Sequence, residues 1–284
     1  MNILVTGGAG FVGTNLIKRL LKDGHNVVSL DNYSTGKVEN HQEGCEYHDC
    51  DIRDVVDFSY FMEKPDVIYH LGALARIQPS FKNPANTLET GILGTLNILE
   101  WVRELENKPK LIFAGSSSVH SGKYQNPYTL SKVVADDLCL LYKEHFEVDV
   151  SICRFYNVYG PHQLTEGEYC TVIGIFERQY KNEQELTITG DGEQRRDFTH
   201  IDDIVEGMIL TAKCETSWDN IELGRGENHS INELAEMFGS GYTYIPERPG
   251  EARITLCDIK ESNDRIGYKP KVNLKDYIEE VISE

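Results

Sequence analysis

Thr6-Gly7-Gly8-Ala9-Gly10-Phe11-Val12-Gly13 is the stretch that decides the reading of this chain. It spaces Gly7, Gly10 and Gly13 as G-x-x-G-x-x-G, between an apolar strand-like run (residues 3–6) and a helix-like segment (residues 11–23). Glycine lets a backbone approach a pyrophosphate closely, and a helix N-terminus favours its negative charge. Such a pattern alone is a weak signal; its placement between strand and helix strengthens it. The next strand-like run ends at Asp31, 18 residues after Gly13. A carboxylate there accepts hydrogen bonds from adenosine ribose hydroxyls and repels a 2'-phosphate, so NAD is favoured over NADP. Asp51-Ile52 follows a third strand and is expected to flank the adenine.

Working outward, strand-like runs recur at residues 26–30, 45–48, 67–71, 110–115 and 149–154. Helical patterns are expected at 54–63, 84–106 and 128–146. Strands alternating with helices predict an α/β fold with a doubly wound parallel sheet. The second half is punctuated by Gly160-Pro161, by glycines at 190 and 192, and by prolines at 246 and 249. That composition suits a smaller α/β lobe. The expected division is 1–157 for the dinucleotide domain and 158–284 for the substrate lobe, with segments near 197–226 packing back on the first.

Composition narrows the partners. Lys+Arg number 28 against 46 Asp+Glu, a net charge of -18, which disfavours nucleic acid and a polybasic membrane site. No apolar stretch approaches the length of a membrane span, and MNILVTGG lacks the basic start of a signal peptide. Seven scattered Cys without a C-x-x-C pair read as free thiols in a reducing cytoplasm. Cys45, His48 and Cys50 cluster in sequence, but on a strand Cys45 faces away from the other two, so no metal is expected.

Tyr128 and Lys132 stand i, i+4, on one face of a helix. The strand before them delivers Ser116-Ser117-Ser118 to the edge of the sheet where doubly wound folds bind ligands. Oxidising a secondary alcohol needs a base for the hydroxyl proton. Tyrosine, with a pKa near ~10, becomes one only beside positive charge. Lys132 supplies that charge, and a serine hydroxyl orients the alcohol.

Together with Arg154-Phe155-Tyr156-Asn157-Val158-Tyr159-Gly160-Pro161, these motifs resemble the extended short-chain dehydrogenase/reductase superfamily. Within it the chain is most similar to NAD-dependent nucleotide-sugar epimerases acting on UDP-glucose or UDP-N-acetylglucosamine. The resemblance covers residues 2 to about 282. It implies a catalytic set of Ser116, Tyr128 and Lys132. It also implies cofactor contacts at Gly7, Gly10, Phe11, Val12, Gly13, Asp31, Asn32, Ser34, Thr35, Gly36, Asp51, Ile52, Leu71, Gly72, Ala73, Tyr128, Lys132 and Tyr156. Substrate contacts fall on Ser116, Ser117, Asn157, Arg196, Arg248, Glu251 and Thr255. Arg196 and Arg248 would grip the diphosphate, and Glu251 a ribose hydroxyl. The resemblance implies C4 epimerisation of a nucleotide-activated hexose, UDP-linked as in those relatives, through a transient 4-keto sugar. Thr255, where relatives use a bulkier residue to exclude N-acetyl groups, implies that an N-acetylhexosamine fits. Helices around 84–106 and 128–146 form a dimer interface in relatives. Ile92, Leu96, Leu99, Leu138 and Leu141 are spaced for such a homodimer.

Dehydratases of this superfamily carry Asp-Glu after the catalytic Ser/Thr, and decarboxylating relatives keep a Glu in this segment. Ser117 and Ser118 stand there instead. The competing expectations are a nucleotide-4-keto-sugar reductase, a dehydratase, and a non-catalytic NAD-binding sensor. Departures from the family pattern are Gly91 for an Asn near the nicotinamide, Gly174 for a Pro, Val119-His120-Ser121-Gly122 for V-Y-G, and a loop of only eleven residues between Ser116 and Tyr128. The Asn loss is expected to loosen the cofactor, and the short loop to open the pocket. His120 and Lys123 in that loop are expected to be solvated.

Overall fold

A computed structural model describes residues 1–55 and 57–283. Its centre is a seven-stranded sheet, all parallel: β1 (Asn2–Thr6), β2 (Asn26–Asp31), β3 (Cys45–Asp49), β4 (Val67–His70), β5 (Lys110–Ser116), β6 (Val150–Phe155) and β7 (Ile221–Leu223). The spatial order is β7-β6-β5-β4-β1-β2-β3, with each neighbour pair parallel. Helices cover both faces, so inner strands such as Ile3–Val5 and Leu111–Phe113 are buried throughout. The order reverses between β1 and β4. Ligands bind beyond the strand ends at such a switch point.

Helix α1 (Phe11–Lys22) buries Leu16, Ile17 and Leu20 against the sheet, each burial contributing roughly 1.5–3 kcal/mol. The expected helix at 54–63 is a correction. The chain there makes only a 3-10 turn, Phe58–Tyr60, and Val56 lies outside the described residues. Asp57 accepts from the Ser59 amide at 2.9 Å, a local bond that competes with a helix. Phe58 is buried against Trp101, whose Nε1 donates to Ser59 Oγ at 3.0 Å.

The expected helix at 84–106 is three pieces: Pro84–Leu88, a π-turn at Glu89–Leu93, and α2 (Gly94–Glu104). Helix α3 (Pro127–Phe146) begins one residue earlier than its periodicity predicts. Asn126 accepts from the Thr129 amide at 2.7 Å and Pro127 takes the first turn, where its missing N–H costs nothing. A short helix at Ile77–Lys82 was not anticipated. Cys45 packs with the core on one face of the sheet and Cys50 with the core on the other.

Beyond residue 157 the chain serves two cores. Helix α4 (Ile201–Lys213) lays Ile201, Ile204, Val205 and Met208 on the same core as α1, and β7 extends the main sheet. A second core gathers Tyr159, Phe176, Leu186, Ile188, Leu234, Phe238, Leu274 and Ile278. The segment 248–257 returns from this lobe to the first: Asn126 Nδ2 donates to the Gly250 carbonyl at 3.1 Å and Gln78 Nε2 to that of Pro249 at 2.9 Å. The two lobes thus enclose a cleft of about 480 Å³ at the strand ends. Among the described residues no helix is long and apolar enough to cross a membrane.

Candidate active site

The glycine loop opens the cleft. Gly7 has φ +72°, and a Cβ on it would stand 3.0 Å from the Gly72 nitrogen. A Cβ on Gly13 would stand 2.2 Å from the Gly7 carbonyl oxygen, so α1 packs on the loop only without one. Gly10 differs: its Cβ would meet only the Gly7 oxygen, at 3.3 Å, and the residue faces the cleft. It is also the N-cap of α1, with no side chain capping the helix and no acid in the first turn. The Phe11, Val12 and Gly13 amides therefore face the cleft unclaimed by any side chain, which fits a pyrophosphate.

Asp31, 7% exposed, is held by the Ala9 amide on Oδ2 (2.9 Å) and the Tyr33 amide on Oδ1 (2.8 Å). Burial raises its pKa and those backbone donors oppose the rise. The carboxylate lines the cleft with lone pairs to spare for ribose hydroxyls. Asp51 is gripped by Arg53 through both oxygens (2.9 and 2.6 Å) and by Asn32 Nδ2 (2.9 Å), which holds its carboxyl far below the usual range. Phe11, Val12, Asn32, Ser34, Thr35, Ile52, Leu71, Gly72 and Ala73 line the same end. The set fits NAD: an uncapped helix N-terminus, a side-chain-free approach at Gly10, and a carboxylate at the ribose position.

Three expected cofactor residues do not line the cleft. Gly36 packs behind it, where a Cβ would stand 2.8 Å from Asp31 Oδ1. The Tyr156 side chain is buried and hydrogen-bonds Glu222 instead. Lys132 lies beneath the cleft floor. Its Nζ donates to the Ala114 carbonyl at 2.7 Å and sits 4.9 Å over the Phe113 ring. Burial pushes this ammonium down to about 8, against the pull of Asp136 one turn on.

Ser116 ends β5 and Tyr128 opens α3, so sheet edge and helix start bring them together at the cleft wall. Ser116 Oγ donates to Ser118 Oγ at 3.0 Å and accepts from the Ser118 amide at 3.2 Å. Burial raises the Tyr128 phenol; its interaction with the Ser116 hydroxyl and the charge of Arg76 pull it back. Both depend on the short loop, which a 3-10 turn at Ser117–Ser121 takes up, so the eleven-residue connection still lets serine meet tyrosine.

The second lobe supplies Asn157, Arg196, Arg248, Glu251 and Thr255, all on the cleft. Asn157, at φ +22°, spends both amide hydrogens on Thr255 Oγ1 (2.9 Å) and the Asp197 carbonyl (3.1 Å). What it offers a ligand is its side-chain carbonyl, an acceptor suited to a hydroxyl rather than a phosphate. Arg196 reaches Glu251 at 3.6 Å, and burial lowers its pKa. Arg195 is instead consumed by Glu233 and Asn228. Arg248 is exposed and has no ion-pair partner among the described residues.

The departures have physical causes. A Cβ on Gly91 would lie 2.8 Å from Ser131 Cβ, so the π-turn meets α3 only through glycine. Gly174 donates its amide to Thr171 Oγ1 at 3.1 Å, which proline cannot do. His120 turns from the cleft to Glu222, 3.0 Å away, and Lys123 is exposed. Two charged residues near the chemistry escaped the sequence reading. Asp136 pairs with Arg154 at 2.5 Å beneath Lys132, and Arg76 lines the cleft itself. An i+4 carboxylate after Lys132 was a findable signal for the first; nothing local marked the second.

Comparison with known proteins gives a consistent picture. The profile of the NAD dependent epimerase/dehydratase family matches residues 3–221. A Methanocaldococcus jannaschii protein named as a candidate UDP-glucose 4-epimerase is 32% identical over 303 residues, covering 99% of this chain and 97% of its own. UDP-glucuronic acid decarboxylase 1 of Xenopus tropicalis is 31% identical over 306 residues, covering 99% of this chain and 71% of that protein. The crystal structure of Thermotoga maritima UDP-glucose 4-epimerase with UDP-glucose matches with a TM-score of 0.93 at 28% identity, over 100% of this chain and 98% of that one.

Proposed function

Since the chain belongs to the NAD dependent epimerase/dehydratase family, we propose that it inverts C4 of a UDP-hexose through a 4-keto sugar. The observation that carries this reading is the serine run facing Tyr128. Ser116, Ser117 and Ser118 line the cleft, and the segment contains no carboxylate. Elimination or decarboxylation of the family's kind calls for an acid there. Epimerisation needs none.

Bound NAD supplies a reversible hydride acceptor for the sugar carbon. The chain's own residues do the rest. Ser116 orients the C4 hydroxyl, and Tyr128 takes its proton and later returns it. Lys132 favours the phenolate by its charge, acting from below the floor. Arg196 and Arg248 hold the diphosphate at the second lobe while the sugar ring turns in the cleft. Asn157 and Thr255 face the ring with a carbonyl and a small, tethered hydroxyl, which leaves room for a 2-acetamido group. Turnover of UDP-glucose with no binding of UDP-N-acetylglucosamine would overturn that size reading. The chain pairs with a second copy through α2 and α3. Support for this comes from Leu141 on α3, 45% exposed, and from Leu93 in the π-turn just before α2, 42% exposed, while Leu99 is buried in the chain's own core and contributes nothing.

The test is interconversion of C4 epimers by NAD-loaded protein without added reductant. Consumption of reduced cofactor in step with product would replace the reading with a net oxidoreductase.

A further inference from the structure

His70 is a buried titratable side chain that the proposed reaction does not use. It ends β4 beside Thr6, the last residue of β1, and is 1% exposed. Its ring has a partner on each side. Nδ1 lies 2.7 Å from Thr6 Oγ1, and Nε2 lies 3.0 Å from Thr95 Oγ1 on α2.

Both hydroxyls have further bonds, and counting protons settles the direction of each. A hydroxyl has one proton to give. Thr95 Oγ1 gives its proton to the Gly91 carbonyl at 2.6 Å, so from His70 it accepts. Nε2 therefore carries the ring proton. Nδ1 is then an acceptor, and Thr6 Oγ1 donates to it. The same Thr6 oxygen accepts from the Gly72 amide at 3.0 Å. One directed chain results: Gly72 amide, Thr6 hydroxyl, imidazole, Thr95 hydroxyl, Gly91 carbonyl. The opposite tautomer would draw the Thr95 proton away from the Gly91 carbonyl. An imidazolium would leave the Thr6 proton without its acceptor. Burial disfavours that charge and pushes the imidazole pKa down to about 3, with the Lys132 ammonium acting in the same direction. The Phe113 ring stands 5.6 Å from the imidazole and 4.9 Å from the Lys132 Nζ.

Both ends of the chain reach the cofactor site. Gly72 lines the cleft, and its nitrogen stands 3.0 Å from where a Cβ on Gly7 would be, so it packs on the glycine loop. Gly91 lies in the π-turn beside Thr90, which also lines the cleft, and the turn rests on Ser131 of α3. A glycine at this point of the turn has no side chain with which to hold itself in place. We infer that His70, as its neutral Nε2–H tautomer, is a positioning residue for the cofactor: it fixes the Gly72 wall relative to the Gly91 turn and thereby sets how firmly NAD is held. This goes with the bound NAD and is independent of which sugar is turned over. Each polar group in such a chain is satisfied in one arrangement only, and removing a member leaves its neighbours unpaired in the core.

The experiment measures NAD dissociation from the NAD-loaded protein, equilibrium binding of UDP, and melting temperature, for wild type and three variants. His70→Phe keeps a ring and removes both of its hydrogen bonds. Thr95→Val removes the partner of Nε2, and Thr95→Ser keeps it. NAD should leave His70→Phe about tenfold or more faster than wild type, and Thr95→Val about three- to tenfold faster, the sizes expected for losing buried hydrogen bonds. UDP binding should change by no more than about twofold in any variant, and Thr95→Ser should hold NAD as wild type does. The Thr95 pair carries the test if His70→Phe does not fold. In ¹⁵N-histidine spectra at neutral pH, the ring whose signals move in Thr95→Val should be the Nε2–H tautomer with a hydrogen-bonded Nδ1. An Nδ1–H tautomer for that ring, unchanged NAD dissociation from Thr95→Val, or equal weakening of NAD and UDP would each overturn the inference. None of these measurements uses turnover, so a failure to epimerise would count against the 4-epimerase reading and leave the role of His70 standing.

Discussion

The two ends of the cleft are made in different ways. At the cofactor end, Gly7, Gly10, Gly13 and Asp31 lie within one strand-helix-strand unit, and the backbone of that unit does the shaping: a carbonyl 2.2 Å from any Cβ at Gly13, amides on both oxygens of Asp31. At the proposed sugar end, Ser116, Tyr128, Asn157, Arg196 and Arg248 come from separate segments, and side chains do the shaping. A local unit tolerates little change but announces itself in sequence. An assembled site tolerates change in each part, such as the short loop between Ser116 and Tyr128, because the sheet edge and the α3 start still converge.

That contrast can be broken by substitution. Tyr128→Phe should give the largest effect, a fall in kcat of about 10²–10⁴-fold, the usual range for losing a positioned acid-base group, with NAD still bound. Loss of NAD along with activity would mean the two ends are not separable. Gly13→Ala should do the reverse: the added Cβ forces the loop from α1, costing about 1–3 kcal/mol of stability and weakening NAD retention. An unchanged melting temperature and full cofactor occupancy would break the claim that backbone packing sets this end.

Lys132 sharpens the boundary between the two. Its folded-state pKa, about 8, is below the ordinary 10.5. Between those values the unfolded chain holds a proton that the folded chain does not, so raising the pH through this window favours folding. Wild type should therefore gain stability from pH 8 toward 10.5 relative to Lys132→Met, measured by denaturant unfolding at each pH. Parallel curves would show that the ammonium is not buried as described. The smallest effect belongs to Gly91→Ala. Alanine normally gains about 0.5–1 kcal/mol over glycine in a helix. Here the contact with Ser131 should cancel or reverse that gain, and Ser131→Gly in the same chain should restore it. A clean rise in melting temperature for Gly91→Ala alone would refute the packing account of this departure.

How much could be read from sequence follows the same divide. Strands β1, β2, β4, β5 and β6 and helix α1 were readable because buried parallel strands are apolar runs bounded by turn residues; β3, half-buried and without Val or Ile, was the weaker signal. The helix expected at 54–63 failed because Asp57 bonds its own turn, and the helix at 84–106 broke at a π-turn where glycine meets α3. β7 went unseen because Ile221–Leu223 is three residues long and joins the sheet from the far half of the chain. Of the residues that line the cleft, Ser116, Tyr128, Arg196 and Arg248 were anticipated through motif resemblance. Lys132 was found by spacing, yet which way its ammonium turns depends on the Ala114 carbonyl. Arg76 had no motif: the carbonyl of Tyr169, 93 residues away, fixes its plane on the cleft wall.

The central claim, hydride removal and return at one sugar carbon, is most directly tested with a substrate deuterated at C4. NAD-loaded protein, without added reductant, is incubated with C4-deuterated UDP-glucose and UDP-N-acetylglucosamine, and the products are separated and analysed by mass spectrometry and NMR. The account expects C4 epimers at equilibrium with the deuterium still on C4. Deuterium lost to solvent, or no interconversion of either sugar, would contradict it.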